Sequence, residues 1–322
     1  MGRGVLAGTA AGLLWGLAFV LPDLAPGWSA VSVTVGRYLV YGLLSLAVVA
    51  VTVRRGPAST ALLRRHWRPA LAYAVTGNVG YYLLLVIAIQ GAGAPVAATV
   101  VGSIPVVMAI AANLREGTYA WRHLAGPMLL VAVGLGFVNV PQLAAADGSS
   151  TGATMIGLGA AVLAVATWTS YGLANAVFLR RNPEVGGSEW SSAIGALTGP
   201  LALLLVPVAL LVGPTTGSRD ATVTGAGALL AVSLVLGLAV SWLGTALWNA
   251  ASAALSTTLA GLLITVETVA GYTYSYIHDA RLPPPVELVG FALVVAGVVV
   301  TTALPRQRSA EASAETWSSG GS

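Results

Sequence analysis

Residues 253–276, reading AALSTTLAGLLITVETVAGYTYSY, hold a single charged side chain, the carboxylate of Glu267. If a helix crosses a bilayer from about residue 255 to residue 277, that acid lies near the midplane. A carboxylate there costs roughly 2.5–3.5 kcal/mol on insertion scales. Such a group faces protein or water, not lipid, where it can bind a cationic group or carry a proton. The plain alternative is a protonated or hydrogen-bonded structural acid. Glu267, Gly271, Tyr274 and His278 follow i+4, i+7 and i+11 steps, so they share one helix face running from the midplane to a surface. Arg37, about two turns into its apolar run, is the only intramembrane candidate for a partnering cation, and the sequence does not say whether it meets Glu267.

Polar and aromatic residues repeat on other apolar segments at helical spacing. Asn78, Tyr81 and Tyr82 form one stripe; Trp168, Tyr171 and Asn175 a second; Trp242, Thr245 and Asn249 a third. Polar groups are costly in lipid, so these faces should point inward. Hydrogen bonds between helices would explain each stripe alone, whereas three together point to a shared cavity with aromatic walls, the usual way of holding an organic solute. Trp15 and Trp248 also fall deep inside apolar runs, while Trp28, Trp67, Trp121 and Trp190 lie near helix ends, as interfacial anchors do. The candidate substrate-binding residues are therefore Trp15, Asn78, Tyr82, Trp168, Tyr171, Asn175, Trp242, Trp248, Asn249 and Glu267.

These residues need elements that span a membrane. Of 322 residues, 57% are hydrophobic and only 8% are charged, and the mean hydropathy is +0.84. That balance belongs to a polytopic membrane protein and not to one or two soluble domains. A spanning helix needs about 20 apolar residues, which gives ten spans near 4–22, 29–53, 69–91, 94–114, 122–141, 154–178, 190–213, 224–251, 255–277 and 285–304. The first is read as an uncleaved helix, since no small-x-small cleavage site follows it. Several spans contain Gly or Pro, and Gly8, Gly12 and Gly16 give the first helix a nearly smooth face suited to close packing.

The chain has no Cys, which removes disulfides, thiolate metal sites and cysteine nucleophiles. His66, His123 and His278 have no second ligand at metal spacing. No metal, cofactor or catalytic residue is expected, and no nucleophile with a base lies near the midplane, which speaks against a membrane-embedded enzyme. All 15 basic residues are Arg. Twelve of them (Arg3, Arg54, Arg55, Arg64, Arg65, Arg68, Arg115, Arg122, Arg180, Arg181, Arg306, Arg308) fall on one side of the ten-span topology. Arg219 and Arg281 fall on the other, beside Asp23, Asp147, Asp220, Asp279 and Glu287. The positive-inside rule places both termini in the cytoplasm. The basic charge thus reports topology and not nucleic-acid binding. The expected partners are a small-molecule substrate and the lipid bilayer, and nothing calls for more than a monomer.

Two halves share a frame. Gly80-Tyr-Tyr-Leu-Leu-Leu, a turn at Gly91-Ala-Gly-Ala-Pro and Leu124-Ala-Gly126 find an echo in Gly244-Thr-Ala-Leu-Trp-Asn, Ala253-Ala-Leu-Ser and Leu288-Val-Gly290. Gly80 to Gly126 and Gly244 to Gly290 are both intervals of 46 residues. Each half has five spans, an odd number, so the second is inverted in the bilayer, an arrangement that places a site near the midplane between repeats. The fold class is an all-α membrane protein of ten transmembrane helices in two inverted five-helix repeats. The domains are residues 1–141 and 154–304, joined by a linker at 142–153 and followed by a polar, disordered cytoplasmic tail at 305–322.

On Trp15-Gly16-Leu-Ala-Phe-Val, Gly36-Arg37-Tyr38, Ala166-Thr-Trp168-Thr-Ser-Tyr171 and Ser103-Ile-Pro105-Val, the chain resembles the drug/metabolite transporter superfamily. The likeness is to its EamA-type ten-helix branch and covers about residues 4–304. It implies alternating-access transport, with four helices of each half around a central cavity and helices five and ten bracing the outside. Within the superfamily the chain looks most like exporters of amino acids and related metabolites, the aromatic amino-acid exporters included. An importer, or a sensor or scaffold that moves nothing, is the alternative. Family members commonly carry a Glu-Pro pair in helix nine. Here Thr268 follows Glu267, which leaves that helix without the usual proline.

Overall fold

A computed structural model of the chain describes residues 2–55, 58–144, 151–212 and 223–305. Among these residues the structure is helical throughout, and the helices group into ten units, several of them interrupted. They are α1 (Gly2–Gly16), α2 (Ala30–Arg55), α3 (Ala58–Tyr73 continuing through Ala74–Val79 and Gly80–Ala92) and α4 (Ala94–Val101 with Ile104–Glu116). Next come α5 (Trp121–Ala144), α6 (Thr151–Arg181) and α7 (Gly187–Leu203 with Val206–Val212). The series ends with α8 (Val223–Val235, Leu236–Leu243, Gly244–Ala254), α9 (Thr257–Leu263 with Thr265–His278) and α10 (Pro285–Ala303).

Seven units are long and apolar enough to cross a membrane, α4 among them although it is interrupted at residues 102–103. The other three are α1, which passes into short 3-10 turns at Leu17–Phe19, α7, which breaks after Leu203, and α9, which breaks at Ile264. The expected linker at 142–153 is helical at both flanks. Its centre, residues 145–150, and the tail from 306 onward lie outside the described residues. Leu43, Leu129, Ile156 and Leu211 are exposed on the outside of the bundle, where hydrocarbon would meet them.

The helices pair as an inverted repeat requires. α5 packs on α10, α2 on α7 and α4 on α9, each joining equivalent members of the two halves; α3 on α6 is mirrored by α8 on α1. α5 and α10 touch the remainder chiefly through α4 and α9, so they brace the bundle from outside. Glycine sets these distances. A Cβ on Gly42 of α2 would sit 2.4 Å from Cα of Gly199 on α7, and one on Gly134 of α5 would sit 2.7 Å from the carbonyl oxygen of Gly290 on α10. In lipid no hydrophobic gain drives helices together, and close backbone packing has to do so. The smooth face of α1 behaves as its spacing predicts: Gly8, Gly12 and Gly16 lie against Leu263, Val266 and Ala270 of α9.

The interruptions also come in pairs. α3 and α8 each contain a π-helical segment ending just before a glycine, where the Gly80 N–H reaches the carbonyl of Val75 and the Gly244 N–H that of Ala239. π segments are rare and recur at functional sites. In α4 and α9 the Ser103 and Thr265 hydroxyls each donate to the carbonyl three residues back, Val100 and Leu262, at 2.6 Å in both cases. Two residues further on stand Pro105 and Glu267. The absence of a proline at residue 268 does not keep α9 continuous, because the hydroxyl takes up the carbonyl that the break at Ile264 frees.

Gly42→Ala should cost about 1–3 kcal/mol, since backbone and not a movable side chain meets the new methyl, seen as a lower unfolding temperature in detergent. Gly159→Ala, where nothing lies within 4 Å, should leave that temperature unchanged or raise it.

Candidate functional site

Glu267 occupies the first turn of the second segment of α9, where the partial positive charge of a helix N-terminus favours a carboxylate. Its neighbours before the break, residues 257–265, are all buried, whereas residues 266–269, Glu267 among them, are half-buried. The acid therefore keeps accessible surface inside a bundle. Arg37 is held from the other side: its Nε donates to Oγ of Ser241, on the π segment of α8, at 2.7 Å, and its guanidinium lies 5.5 Å from the ring centre of Tyr38. Arg37 and Glu267 act on one another electrostatically, and both act on Tyr81 of α3. Among the described residues they form no ion pair within 4.0 Å; the pairs that do form are Arg180 with Glu116 and Arg281 with Asp279.

Trp15, Trp168 and Trp248 come from α1, α6 and α8 and meet as a triad, with ring centres 5.5–6.3 Å apart. The two-fold relation explains the placement. Trp15 lies over Gly244, where a Cβ would be 2.6 Å from its Nε1, and the Tyr171 ring lies over Gly77 in the π segment of α3 at 2.8 Å. An aromatic ring from the first helix of each half thus covers a glycine in, or directly after, the π segment of the opposite half. Of the triad, Trp15 keeps accessible surface, while Trp168 is 9% and Trp248 1% exposed.

From Trp168 the aromatic contacts continue through Tyr171 to Tyr73 and on to Phe178 and Trp190, stacked at 4.1 Å. Trp190 is fully buried and is no interfacial anchor. Its Nε1 donates to Oδ1 of Asn175 at 2.8 Å, and Asn175 in turn donates to Oδ1 of Asn249 at 2.9 Å. Both amides are fully buried, so in this conformation they satisfy each other and a tryptophan and have no surface for a solute. Trp67 and Trp121 are 45% and 44% exposed and do fit the anchor role.

The remaining candidates lie on seams between helices. Asn78 donates to Oγ1 of Thr198 at 3.0 Å, joining α3 to α7, and Trp242 donates to Oγ of Ser192 at 2.9 Å, joining α8 to α7. Tyr82 meets Tyr38 edge to face at 6.5 Å, beside Arg37. The face running outward from Glu267 is shared: Gly271 is covered by the Phe19 ring, with a Cβ there only 2.5 Å from it.

At the side carrying both described ends, the bundle is closed by polar contacts that residue spacing does not reveal. Arg180 of α6 pairs with Glu116 of α4 at 2.6 Å and donates to Oγ1 of Thr257 on α9 at 2.8 Å, while Thr257 donates to the same Glu116 carboxylate. The hydroxyls of Tyr119 and Ser256 meet at 3.1 Å beside it. Arg180 reads in the sequence as a topology charge, and its partners lie 64 and 77 residues away along the chain. On the opposite side, the turns after α1 (Leu17–Phe19 and Leu21–Leu24) contain no buried residue. The side beyond Glu267 nevertheless holds buried residues, Ala25, Val33 and Val232 among them. Glu287, read as a loop acid, is 1% exposed and accepts from the Tyr276 hydroxyl at 2.5 Å.

The comparisons with known proteins agree with this architecture. The model of the EamA-like transporter family matches residues 2–140. "Inner membrane protein YtfF" of Escherichia coli (strain K12) is 37% identical over 307 residues, covering 92% of this chain and 94% of that protein. This chain belongs to the EamA-like transporter family. A crystal structure shares the fold at a TM-score of 0.74 and 19% identity, covering 94% of this chain and 97% of that one. Membership makes the chain a membrane transporter of the drug/metabolite transporter superfamily.

The Arg180 contacts should act as a closure, and this is testable because the chain lacks cysteine. A single cysteine placed at the buried Ala109 should react slowly with a water-soluble maleimide in the otherwise native chain. Adding Arg180→Ala should speed the reaction about tenfold, the effect of one lost charge-assisted contact. An unchanged rate would make the contact decorative.

Proposed function

We propose that this chain is a secondary transporter that carries a small organic metabolite, an amino acid with aromatic ones among its substrates, out across the inner membrane by alternating access. The observation that carries the reading is the pairing of an accessible carboxylate, Glu267, at a helix break in mid-bundle with an aromatic wall ending in Trp15, above polar contacts that tie the terminal side together. The excess of arginines at the terminal side supports cytoplasmic termini. The Arg180–Glu116–Thr257 contacts then lie on the cytoplasmic side. The name of the Escherichia coli relative, an inner membrane protein, supports the inner membrane, and the resemblance to metabolite exporters supports the direction.

Under this reading the ten-residue candidate list divides by role. Trp15, Tyr82 and Glu267 bound the solute. Trp168, Tyr171 and Trp248 back the wall, and Asn78, Trp242, Asn175 and Asn249 hold α3, α6, α7 and α8 in place around it. The hitches at residues 102–103 and 264 give α4 and α9 joints at which one side could open as the other closes.

Protein reconstituted in liposomes should show saturable flux of at least one member of an amino-acid panel. Glu267→Gln should lower that flux by about tenfold or more, the equivalent of losing one hydrogen bond to a charged group, or flatten its dependence on pH. Arg37 and Tyr81 are the charged and titratable neighbours that would remain. Absence of saturable flux for any small organic solute would end the transport reading of the site, and full activity of the variant at every pH would make Glu267 structural.

A further inference from the structure

We infer that Arg37 and Glu267 are the two poles of one binding site for a zwitterion, an α-amino acid whose carboxylate is received by Arg37 and whose ammonium is received by Glu267. The inference rests on the transport reading above and names its substrate class by chemistry.

Two opposite charges inside a bundle ordinarily come together, because an unpaired charge away from water is costly and a contact with the other relieves it. Here they do not. Each is anchored separately, Arg37 through its Nε to Ser241 on α8, and Glu267 on a half-helix whose backbone nitrogen lies against Gly12 of α1. The terminal amino groups of Arg37 and both carboxylate oxygens of Glu267 make no hydrogen bond or ion pair among the described residues. The first helix brings their helices together: Trp15 covers Gly244, one turn after the Ser241 that holds Arg37, while Gly12 on the same turn of α1 lies against Glu267. Both side chains keep accessible surface. The result is an acceptor and a planar donor fork, carried by helices that meet the same turn of α1, with their polar capacity unspent, and a guanidinium fork suits a carboxylate in particular.

Charge balance selects among ligands. A cation alone would neutralise Glu267 and leave Arg37 uncompensated, and an anion alone would do the reverse. A net-neutral ligand with both charges compensates both poles and adds no net charge to the membrane interior. Trp15, the member of the aromatic triad with accessible surface, lies on the same turn of α1 as Gly12 and Gly16, which pack against Val266 and Ala270 on either side of Glu267. It offers an apolar wall for the ligand's side chain.

The test uses purified full-length protein in detergent, with intrinsic tryptophan fluorescence or thermal shift as the readout. The proteinogenic L-amino acids are titrated first, then the C-terminal amide and the N-acetyl derivative of the tightest binder. Each derivative lacks one charge and should bind at least about tenfold more weakly. Arg37→Gln should weaken the parent amino acid to a similar degree while binding the amide no worse than the parent, and Glu267→Gln should do the same for the N-acetyl form. Arg37→Lys, which keeps the positive pole, should retain zwitterion binding. If the Gln variants do not fold, the derivative series on the native protein decides alone. No binding by any amino acid, or equal binding of either derivative, overturns the inference. Zwitterion binding without flux in liposomes would sink the transport reading and keep the site. Saturable flux of a singly charged solute with no zwitterion binding would do the opposite.

Discussion

Helices in hydrocarbon gain nothing from removing apolar surface from lipid, so a bundle of this composition holds together by how closely its backbones approach. In this chain that approach is made at glycines on the pairings the repeat creates: Gly42 with Gly199, Gly134 with Gly290, and the α1 face of Gly8, Gly12 and Gly16 against α9. Where backbones touch, there is no room for a cavity. The aromatic and charged groups are accordingly confined to the seams between these crossings. The frame formed by α2 with α7 and by α5 with α10 is fixed by contacts that cannot slide without clash, whereas α4 and α9 carry hitches.

Much of this frame is legible in the residues. Composition gives the solvent, runs of about 20 apolar residues give the spans, and the equal intervals from Gly80 and Gly244 mark a repeat whose structural basis is a pair of π segments ending at those glycines. The first helix shows its packing face openly, because spacing by four is a helical period. What escapes is whatever depends on which inward face meets which. Asn175 and Asn249 look like two amides facing a cavity, since a buried amide pair and a cavity amide leave the same stripe. Trp190 sits near a helix end, as an anchor would, but the chain folds α3 and α6 against it and its N–H finds Asn175. A break at Ile264 has no proline to announce it, and its marker, Thr265 bonding Leu262, matters only once Ser103 is seen to bond Val100 in the same way. Tyr73, missed as a member of the aromatic series, does share a helical face with Gly77 and Tyr81.

Arg180 shows the same limit for charge. Loop arginines report orientation in bulk, and twelve of them on one side carry that message whether or not one also pairs with Glu116. Pairing is a property of distance in space, and the separation of 64 residues between the partners hides it. Arg37 is the reverse case: an intramembrane cation is conspicuous in the sequence, and its most obvious partner, Glu267, turns out to be a neighbour in field and not in contact.

The repeat makes that last point sharper. Ser103 and Thr265 are equivalent in bonding, and two residues beyond them the halves diverge into Pro105 and Glu267. An inverted-repeat transporter changes sides when its halves exchange conformations, but a carboxylate present in one half alone cannot be exchanged; it has to be carried. Its segment of α9 begins after the break, while the segment before the break is pinned through Thr257 to Arg180 and Glu116. Releasing those contacts removes the polar tie of the first segment, which still packs on Gly8 through Leu263, and leaves the acid's own segment packed along α1 at Gly12 and Gly16. Arg37 is tied to α8 through Ser241, so the separation of the two charges is set by how α8 and α9 stand relative to one another. Any motion that opens the terminal side at α9 therefore bears on the geometry of the charges, which gives access and binding a common mechanical element.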